Sequence, residues 1–281
     1  MISQGNMVKQ VVKVDRSRLG GLRRVELHGN PGTPEGRSKG GKKTIQLFHN
    51  DPELARSRGF AVRKEICYPS RSPELAELIG IILGDGGVRS KHQFMVTFNY
   101  RTDLKHAEHV CNIIKRLFSI DSSIRRRKGN NGADVIVSSS NLVDFLLTQG
   151  IVMGNKIKNQ VGVPLWIQEK LEYRVACLRG LMDTDGGVYL HSYKSGGKDY
   201  RYLKLAFTNC SKPLLDFALE TSALLEIKSY LSGYHVSVYS KAGVRKYFEK
   251  VGSHNPKHLD RFREHFGEVP ELVERNCLLS S

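Results

Sequence analysis

Cysteine is scarce and shows no pairing pattern: five residues, at positions 67, 111, 177, 210 and 277, with no C-x-x-C spacing. An odd count without that spacing argues against both a thiolate zinc site and a disulfide frame. Cys111 and Cys177 fall in apolar helical runs and are expected to be small core residues. No apolar run approaches the roughly 18 residues that a membrane span needs. No secretory leader opens the chain, so the expected setting is intracellular: cytoplasmic, nucleoid-associated or organellar. Acidic residues are short as well. Against 44 Lys and Arg stand only 28 Asp and Glu, a formal net charge of +16 in 281 residues. A field of that sign attracts polyanions and speeds encounter with them, but it says nothing of a site. The length allows one large domain or two of ordinary size, with ample core.

Two stretches repeat one pattern. Leu78 to Gly87 reads LIGIILGDGG and Cys177 to Gly187 reads CLRGLMDTDGG. Each is an apolar helical run ending in an aspartate and two glycines. A carboxylate in the last turn of a helix meets the negative end of the macrodipole and is disfavoured by about 0.3–1 kcal/mol. Two such placements on matching sequences call for a reason. Small residues four apart, Gly80 with Gly84 and Gly180 with Thr184, leave a shallow face on each helix. Two such faces let the helices pack closely and bring Asp85 and Asp185 together, where paired carboxylates suit a divalent cation.

The flanking order repeats too. Ser72-Pro73-Glu74 opens the first motif helix with an N-cap, a proline at the first helical position and an acid in the first turn. From Gln93 to Tyr100 the chain alternates, with Phe94, Val96 and Phe98 on one face and Gln93, Met95, Thr97 and Asn99 on the other, as in a half-buried strand. Asp103 is placed as the cap of an amphipathic helix to about Phe118. Strands are expected over 122–128 and 133–139, and Asn141 as the cap of a helix ending at Gly150. The second motif helix starts near Glu172. After it come a strand over 188–193, a loop over 192–202 and a strand over 202–208, with Leu203, Leu205 and Phe207 inward. A helix follows from Ser211 to about Leu225, then a hairpin turning at Gly233, and a last helix near Ala242. Asp85 and Asp185 are 100 residues apart, as are Asn141 and Lys241, while Asp103 and Ser211 are 108 apart. The unit is helix, two strands, helix, two strands, helix, duplicated about an expected internal pseudo-two-fold axis.

Residues 1–68 differ. Between Met1 and Phe60 stand twelve Lys or Arg against five Asp or Glu, a net of +7, with weak apolar periodicity. GRSKGGKK at Gly36 to Lys43 suits a basic arm on nucleic acid through Lys39, Lys42 and Lys43. The segment reads either as a partly disordered extension or as a small accessory DNA-binding element. His254 and His258 sit four apart, but Pro256 between them argues against the helix that a metal pair would need.

LIGIILGDG and LRGLMDTDG resemble the signature of the LAGLIDADG homing endonucleases, in the form that carries two motifs in one chain. The second copy is close; the first has Leu83 where an acid is usual. The resemblance covers about residues 70–265. It implies an α+β fold, two pseudo-two-fold-related helix-strand-strand-helix-strand-strand-helix units whose antiparallel sheets form a DNA-binding saddle. The expected segments are 1–68, a first half-domain at 69–167 and a second at 168–281. It also implies a monomer that hydrolyses both strands of double-stranded DNA across the minor groove, leaving 3′ overhangs. The metal, Mg2+ with Mn2+ also serving, would be held by Asp85 and Asp185 with the main-chain carbonyls of Gly84 and Thr184. A basic residue at the start of the last helix of a half is implied for the transition state; Lys241 matches it, where the first half has Ser140 and Asn141. Asn99 and Thr208 are similar to the polar residues that order water. Strand parity and charge put Arg89, Lys91, Gln93, Thr97, Asn99, Arg101, Arg125, Arg126, Arg127 and Lys128 of the first half on the DNA-binding surface. Lys194, Lys198, Arg201, Lys204 and Thr208 join them from the second. Proteins of similar sequence also act as RNA maturases on introns or as non-cleaving regulators, and charge does not separate these from the nuclease.

Overall fold

A computed structural model describes residues 16–29 and 32–270; Cys277 lies outside them. The chain divides into two compact units, Met1–Val62 and Arg63–Ser281. The first contains helices α1 (Arg16–His28), α2 (Pro34–Asn50) and α3 (Pro52–Ser57). The segment expected as a flexible arm is thus the middle of a helix. Two strong start signals outweigh the roughly 1 kcal/mol cost of each interior glycine. Thr33 Oγ1 accepts from Gly36 N at 3.0 Å and Pro34 follows it. Asp51 then ends α2 and caps α3, its Oδ1 accepting from Leu54 N at 2.8 Å. Lys39 and Lys43, four apart on α2, share one exposed helix face.

The second unit carries the duplication. Its first half is α4 (Pro73–Gly84), β1 (Gly86–Ser90), β2 (Gln93–Asn99), α5 (Leu104–Phe118), β3 (Ser123–Arg126), β4 (Gly132–Ser138) and α6 (Ser140–Thr148). A short α7 (Leu165–Gln168) leads to the second: α8 (Leu171–Asp185), β5 (Gly186–Ser195), β6 (Lys198–Thr208), α9 (Lys212–Leu224), β7 (Tyr230–Ser232), β8 (His235–Val238) and α10 (Lys241–Lys250), followed by α11 (Pro256–Phe266). The fold is α+β, with two four-stranded antiparallel sheets of like order, β1-β2-β4-β3 and β5-β6-β8-β7. Alternation in β2 holds: Phe94, Val96 and Phe98 are buried, with Val135 and Val137 of β4 beside them.

Three local expectations change. Ser139 rather than Asn141 caps α6, its Oγ accepting from Leu142 N at 3.3 Å, because the Asn141 amide is engaged by Lys64 O and Arg63. Arg63 and Lys64 therefore belong with the second unit, not with a 1–68 extension. The 192–202 loop is a two-stranded ribbon: Gly196 and Gly197 both take positive φ, 56° and 74°. Two such residues make the tight turn whose twist matches paired strands. Pro256 starts α11 at its first position, with Asn255 Oδ1 accepting from Lys257 N at 3.1 Å.

The two halves meet along α4 and α8. A Cβ added to Gly80 would overlap the Cys177 carbonyl, and one on Gly180 the Glu77 carbonyl. Those pairs exchange under a shift of 100 residues, as an internal two-fold demands. Because α4 lies between its own sheet and α8, every residue from Leu75 to Gly84 is buried, and apart from Glu77 that run is apolar all round. Gly180→Ala is expected to destabilise the protein by about 2 kcal/mol or more, high in the overpacking range because backbone cannot yield. Gly87→Ala, with open space around the added methyl, should stay within about 0.5 kcal/mol of wild type. Urea midpoints at constant slope measure both.

Candidate active site

At the C-terminal end of that seam α4 delivers Asp85 as its C-cap and α8 ends on Asp185. Gly84 is what lets them converge, since a Cβ there would overlap Thr184 Oγ1 and stand 3.5 Å from Asp185 Oδ2. The Asp85 carboxyl faces an open recess of about 260 Å³ that Thr97, Asn99, Asp103, Thr184 and Lys257 also line. Asp85 retains solvent access and Asp185 is half-buried, yet both titrate above the usual range. Surrounding protein and then the Asp185 charge push Asp85 up to about 6. Burial raises Asp185 too, opposed by Lys156 and by Asn209, whose Nδ2 donates to Asp185 Oδ2 at 2.7 Å.

Lys156 is the cation between them. Its ammonium donates to Leu83 O at 2.9 Å, to Ile82 O at 3.3 Å and to Gly84 O, satisfying the orphan carbonyls at the end of α4. Burial lowers its pKa, and Asp185 and Asp85 resist the loss of its proton. Across the recess Lys257 Nζ lies 2.7 Å from Asp103 Oδ1. Burial alone would raise Asp103, but hydrogen bonds from Lys257, Thr102 and Asn255 hold it below the ordinary value. Asp103 thus stands at the N-cap position of α5 without making the cap bond. Sequence reasoning missed both lysines. The signal was present in the half endings: Lys156 in GNKIKNQ and Lys257 in SHNPKH, each a few residues past a glycine.

Lys241 is elsewhere. It is the first residue of α10, and its ammonium lies 5.6 Å over the Phe266 ring; the cations that act on Asp85 are Lys156 and Lys257. Ser140, its counterpart in α6, is bonded to His92 Nδ1 at 2.8 Å. The strand register aligns Thr208 with Thr97 rather than Asn99: Gly86 pairs with Val96 and Gly186 with Phe207, each one residue before a threonine. Thr97 Oγ1 donates to Asp134 Oδ1 at 2.8 Å, and Thr208 Oγ1 meets His235 Nδ1 at 2.8 Å. Asn99 Oδ1 accepts from Arg101 N at 3.0 Å, as Asn209 Oδ1 does from Ser211 N at 2.7 Å.

On the sheet faces, parity decides which expected contacts stand together. Gln93, Thr97 and Asn99 share one face of β2 with Arg125, opposite Asp134 on β4. Arg127 turns back onto Asp134 with Nε at 2.8 Å and Nη2 at 2.5 Å, so Thr97 and Arg127 are engaged within the sheet. Arg126 stacks on Tyr100 at 5.1 Å, while Arg101, Arg126, Arg127 and Lys128 surround a recess at the β3–β4 turn. Arg89 occupies the irregularity of β1 and Lys91 the β1–β2 turn, both exposed. In the second half Lys198, Lys204 and Thr208 share a ribbon face, whereas Lys194 and Arg201 fall on the opposite one. The first of these faces also presents Tyr189, His191, Tyr193, Tyr200 and Tyr202, with Tyr193 stacked on Tyr200 at 5.0 Å. That aromatic face was hidden in sequence by reading 192–202 as a loop.

Hard oxygen donors converge at the end of the seam, two carboxylates and the Gly84 carbonyl, and an ammonium already stands against them. A donor set of this kind suits Mg2+ or Mn2+. Among the described residues no helix is long and apolar enough to cross a membrane.

No protein-family model matches the sequence, and no curated protein matches it. Solved structures do. A structure from a study of mesophilic variants of the homing endonuclease I-DmoI is 18% identical, with a TM-score of 0.43 over 64% of this chain and 95% of that one. I-DmoI in complex with DNA and Mn is also 18% identical, with a TM-score of 0.42 over 64% and 96%. Meganuclease I-SmaMI bound to uncleavable DNA is 13% identical, with a TM-score of 0.45 over 76% and 96%. The chain is similar in structure to these homing endonucleases.

The carboxyl pair makes stability depend on pH with a definite sign. A folded pKa of about 6 against an ordinary 3.8 means that the folded state holds the Asp85 proton longer. The contribution is present below 3.8 and is lost as pH rises through about 6. In chelator, Asp85→Asn is therefore expected to be more stable than wild type above pH of about 6. The advantage should shrink to nothing as pH falls toward 3.8, in urea unfolding across that range.

Proposed function

We propose that the protein is a divalent-metal-dependent DNA endonuclease, active as a single chain. The observation that carries this reading is the meeting of Asp85 and Asp185 at the end of a two-fold helix seam, with raised pKa values and Lys156 between them. A protein that only bound DNA would have no use for two carboxylates that cost stability at neutral pH.

Asp85 and Asp185, with the Gly84 and Thr184 carbonyls, would hold Mg2+ or Mn2+, which when bound supplies an activated water and a counter-charge for the leaving oxygen. The chain's own groups do the rest. Both aspartates must be ionised to hold a cation, so protons compete with the metal at Asp85, whose carboxyl titrates high, and activity declines toward acid pH. Lys156, freed from the helix-end carbonyls, brings a positive charge to the phosphate that accumulates negative charge. Asn209 fixes the rotamer of Asp185. We assign to Lys156 the role that the resemblance gives to Lys241. Each half supplies one carboxylate, which matches the two-fold relation of the duplex backbones and suits cutting both strands.

The duplex would lie along the sheet faces. Exposed Lys and Arg of β1 to β4 and the face of β6 with Lys198 and Lys204 supply phosphate contacts; the basic side of α2, in the first unit, is a separate surface suited to nucleic acid. Tyr and His side chains on the β5–β6 ribbon supply apolar surface to the major groove, which admits a two-stranded ribbon.

Cleavage of a randomised duplex library with Mg2+, with binding followed in Ca2+, tests the reading. Asp85→Asn and Asp185→Asn should each lower cleavage by at least roughly 10³-fold, about 4 kcal/mol of barrier, while still binding. Lys156→Met should cost roughly 10²-fold, in the range of one lost transition-state donor, and Lys241→Met much less. A wild type that binds duplex tightly and cuts with no divalent metal tried would reduce the paired motifs to a helix interface. A second measurement addresses the surface. Lys204→Ala should weaken binding about equally across sequences and lower the salt slope by about 1, in titrations from low to physiological salt.

A further inference from the structure

A second cluster of ligating side chains lies further back along the seam, away from its aspartate end. Glu77 sits in the second turn of α4, His109 on α5, and His254 in the segment before α11. Glu77 Oε1 faces both rings, 2.9 Å from His109 Nε2 and 2.6 Å from His254 Nδ1. One ligating atom from each of the three lies within 4.8 Å of the others. The imidazole centroids are 4.3 Å apart, and all three side chains are at least nine-tenths buried. Arg179 of α8 grips the other oxygen, Oε2, with Nε at 3.0 Å and Nη2 at 2.9 Å. His106, one turn earlier on α5 and 6.1 Å from the His109 ring, is buried with both nitrogens unpartnered.

We propose that Glu77, His109 and His254 form a transition-metal site, of the kind that takes Zn2+, linking the two halves of the duplicated unit. Two imidazoles and one carboxylate are a three-ligand set that leaves a fourth position open. Bond lengths of about 2.0–2.1 Å place tetrahedral ligand atoms about 3.3 Å apart. The two Glu77–histidine distances, 2.9 and 2.6 Å, therefore open by roughly half an ångström to admit the ion. Arg179 leaves Oε1 as the one oxygen directed at the rings, which is the outer-shell orientation that ligating carboxylates need. Imidazole favours Zn2+, Co2+ or Ni2+, whereas the all-oxygen set at Asp85 and Asp185 favours Mg2+ or Mn2+. The two sites therefore sort metals by donor type. An ionised carboxylate only accepts, so both facing nitrogens carry a proton in the metal-free protein; binding requires each neutral ring to move that proton to its far nitrogen, and Glu77 keeps its charge. Because Glu77 and His109 come from the first half and His254 from the second, the ion ties the halves together.

The test uses the full chain carrying Asp85→Asn and Asp185→Asn, stripped with chelator and titrated with Co2+. One equivalent should bind with the visible d–d bands of a four-coordinate nitrogen–oxygen site, and the melting temperature should rise with metal concentration. His109→Gln and His254→Gln in that background should each weaken binding by more than roughly 100-fold, the top of the range that loss of an outer-shell partner gives. No retained Co2+, or equal affinity in His109→Gln, overturns the proposal. Where a histidine variant does not fold, X-ray absorption of the Zn2+-loaded background protein decides alone. Scattering from two imidazoles supports the site and its absence refutes it.

Discussion

The backbone-to-backbone approach of α4 and α8 is the constraint on which the rest of the second unit depends. Gly80 and Gly180 have no room for a methyl, because each lies against a carbonyl of the other helix. That closeness orients the helix ends, and the helix ends hold the aspartates. It also explains why two sheets of matching order stand on either side of one seam, since each motif helix runs directly into the first strand of its own half. A wider seam would separate Asp85 from Asp185, and neither would feel the other's charge.

Close packing alone allows two helices to slide; buried charge opposes it. Glu77 pairs with Arg179 across the seam, and burial, which alone would raise the Glu77 pKa, is outweighed by Arg179, His254 and His109. Asp183 accepts from Ser253 Oγ, His254 N and His258 Nδ1, and is likewise held below the ordinary value. Such pairs add little net stability, because desolvation offsets the attraction. A slip of one turn, however, would leave a charge buried and unpaired at about 3–5 kcal/mol. The glycines set how close the helices come, and the buried carboxylates set which residues face each other.

How much of this was legible in sequence depends on how local the signal is. The duplication, the strand alternation of Phe94, Val96 and Phe98 and the start of α4 at Ser72-Pro73 are local patterns, and all three stand in the structure. The meeting of the motif helices was readable because Gly80, Gly84 and Gly180 have a purpose only if something approaches them. The α6 cap was misread because Asn141 and Ser139 are both capable caps, and a tertiary partner, Arg63, claims Asn141. The ribbon was misread because Ser195-Gly196-Gly197-Lys198 is both loop-like in composition and a two-residue hairpin turn. Lys156 has as its local hint only its place in the half ending GNKIKNQ, which does not show where that segment goes. Its importance comes from a chain path that returns 72 residues later to the end of α4.

That path answers an electrostatic problem which the fold creates. A helix C-terminus presents unsatisfied carbonyls, and here two such ends arrive together with an aspartate on each. The result is an excess of negative partial and formal charge in a half-buried place. Lys156 neutralises part of it, at the expense of its own desolvation, which is why its pKa falls while those of both carboxyls rise. One ammonium is too little positive charge for two carboxylates and two helix ends, and Lys257 is already committed to Asp103. Burial first, and then the Asp185 charge that one ammonium leaves uncompensated, keep Asp85 high, and a doubly charged cation is the smallest species that would cancel that charge.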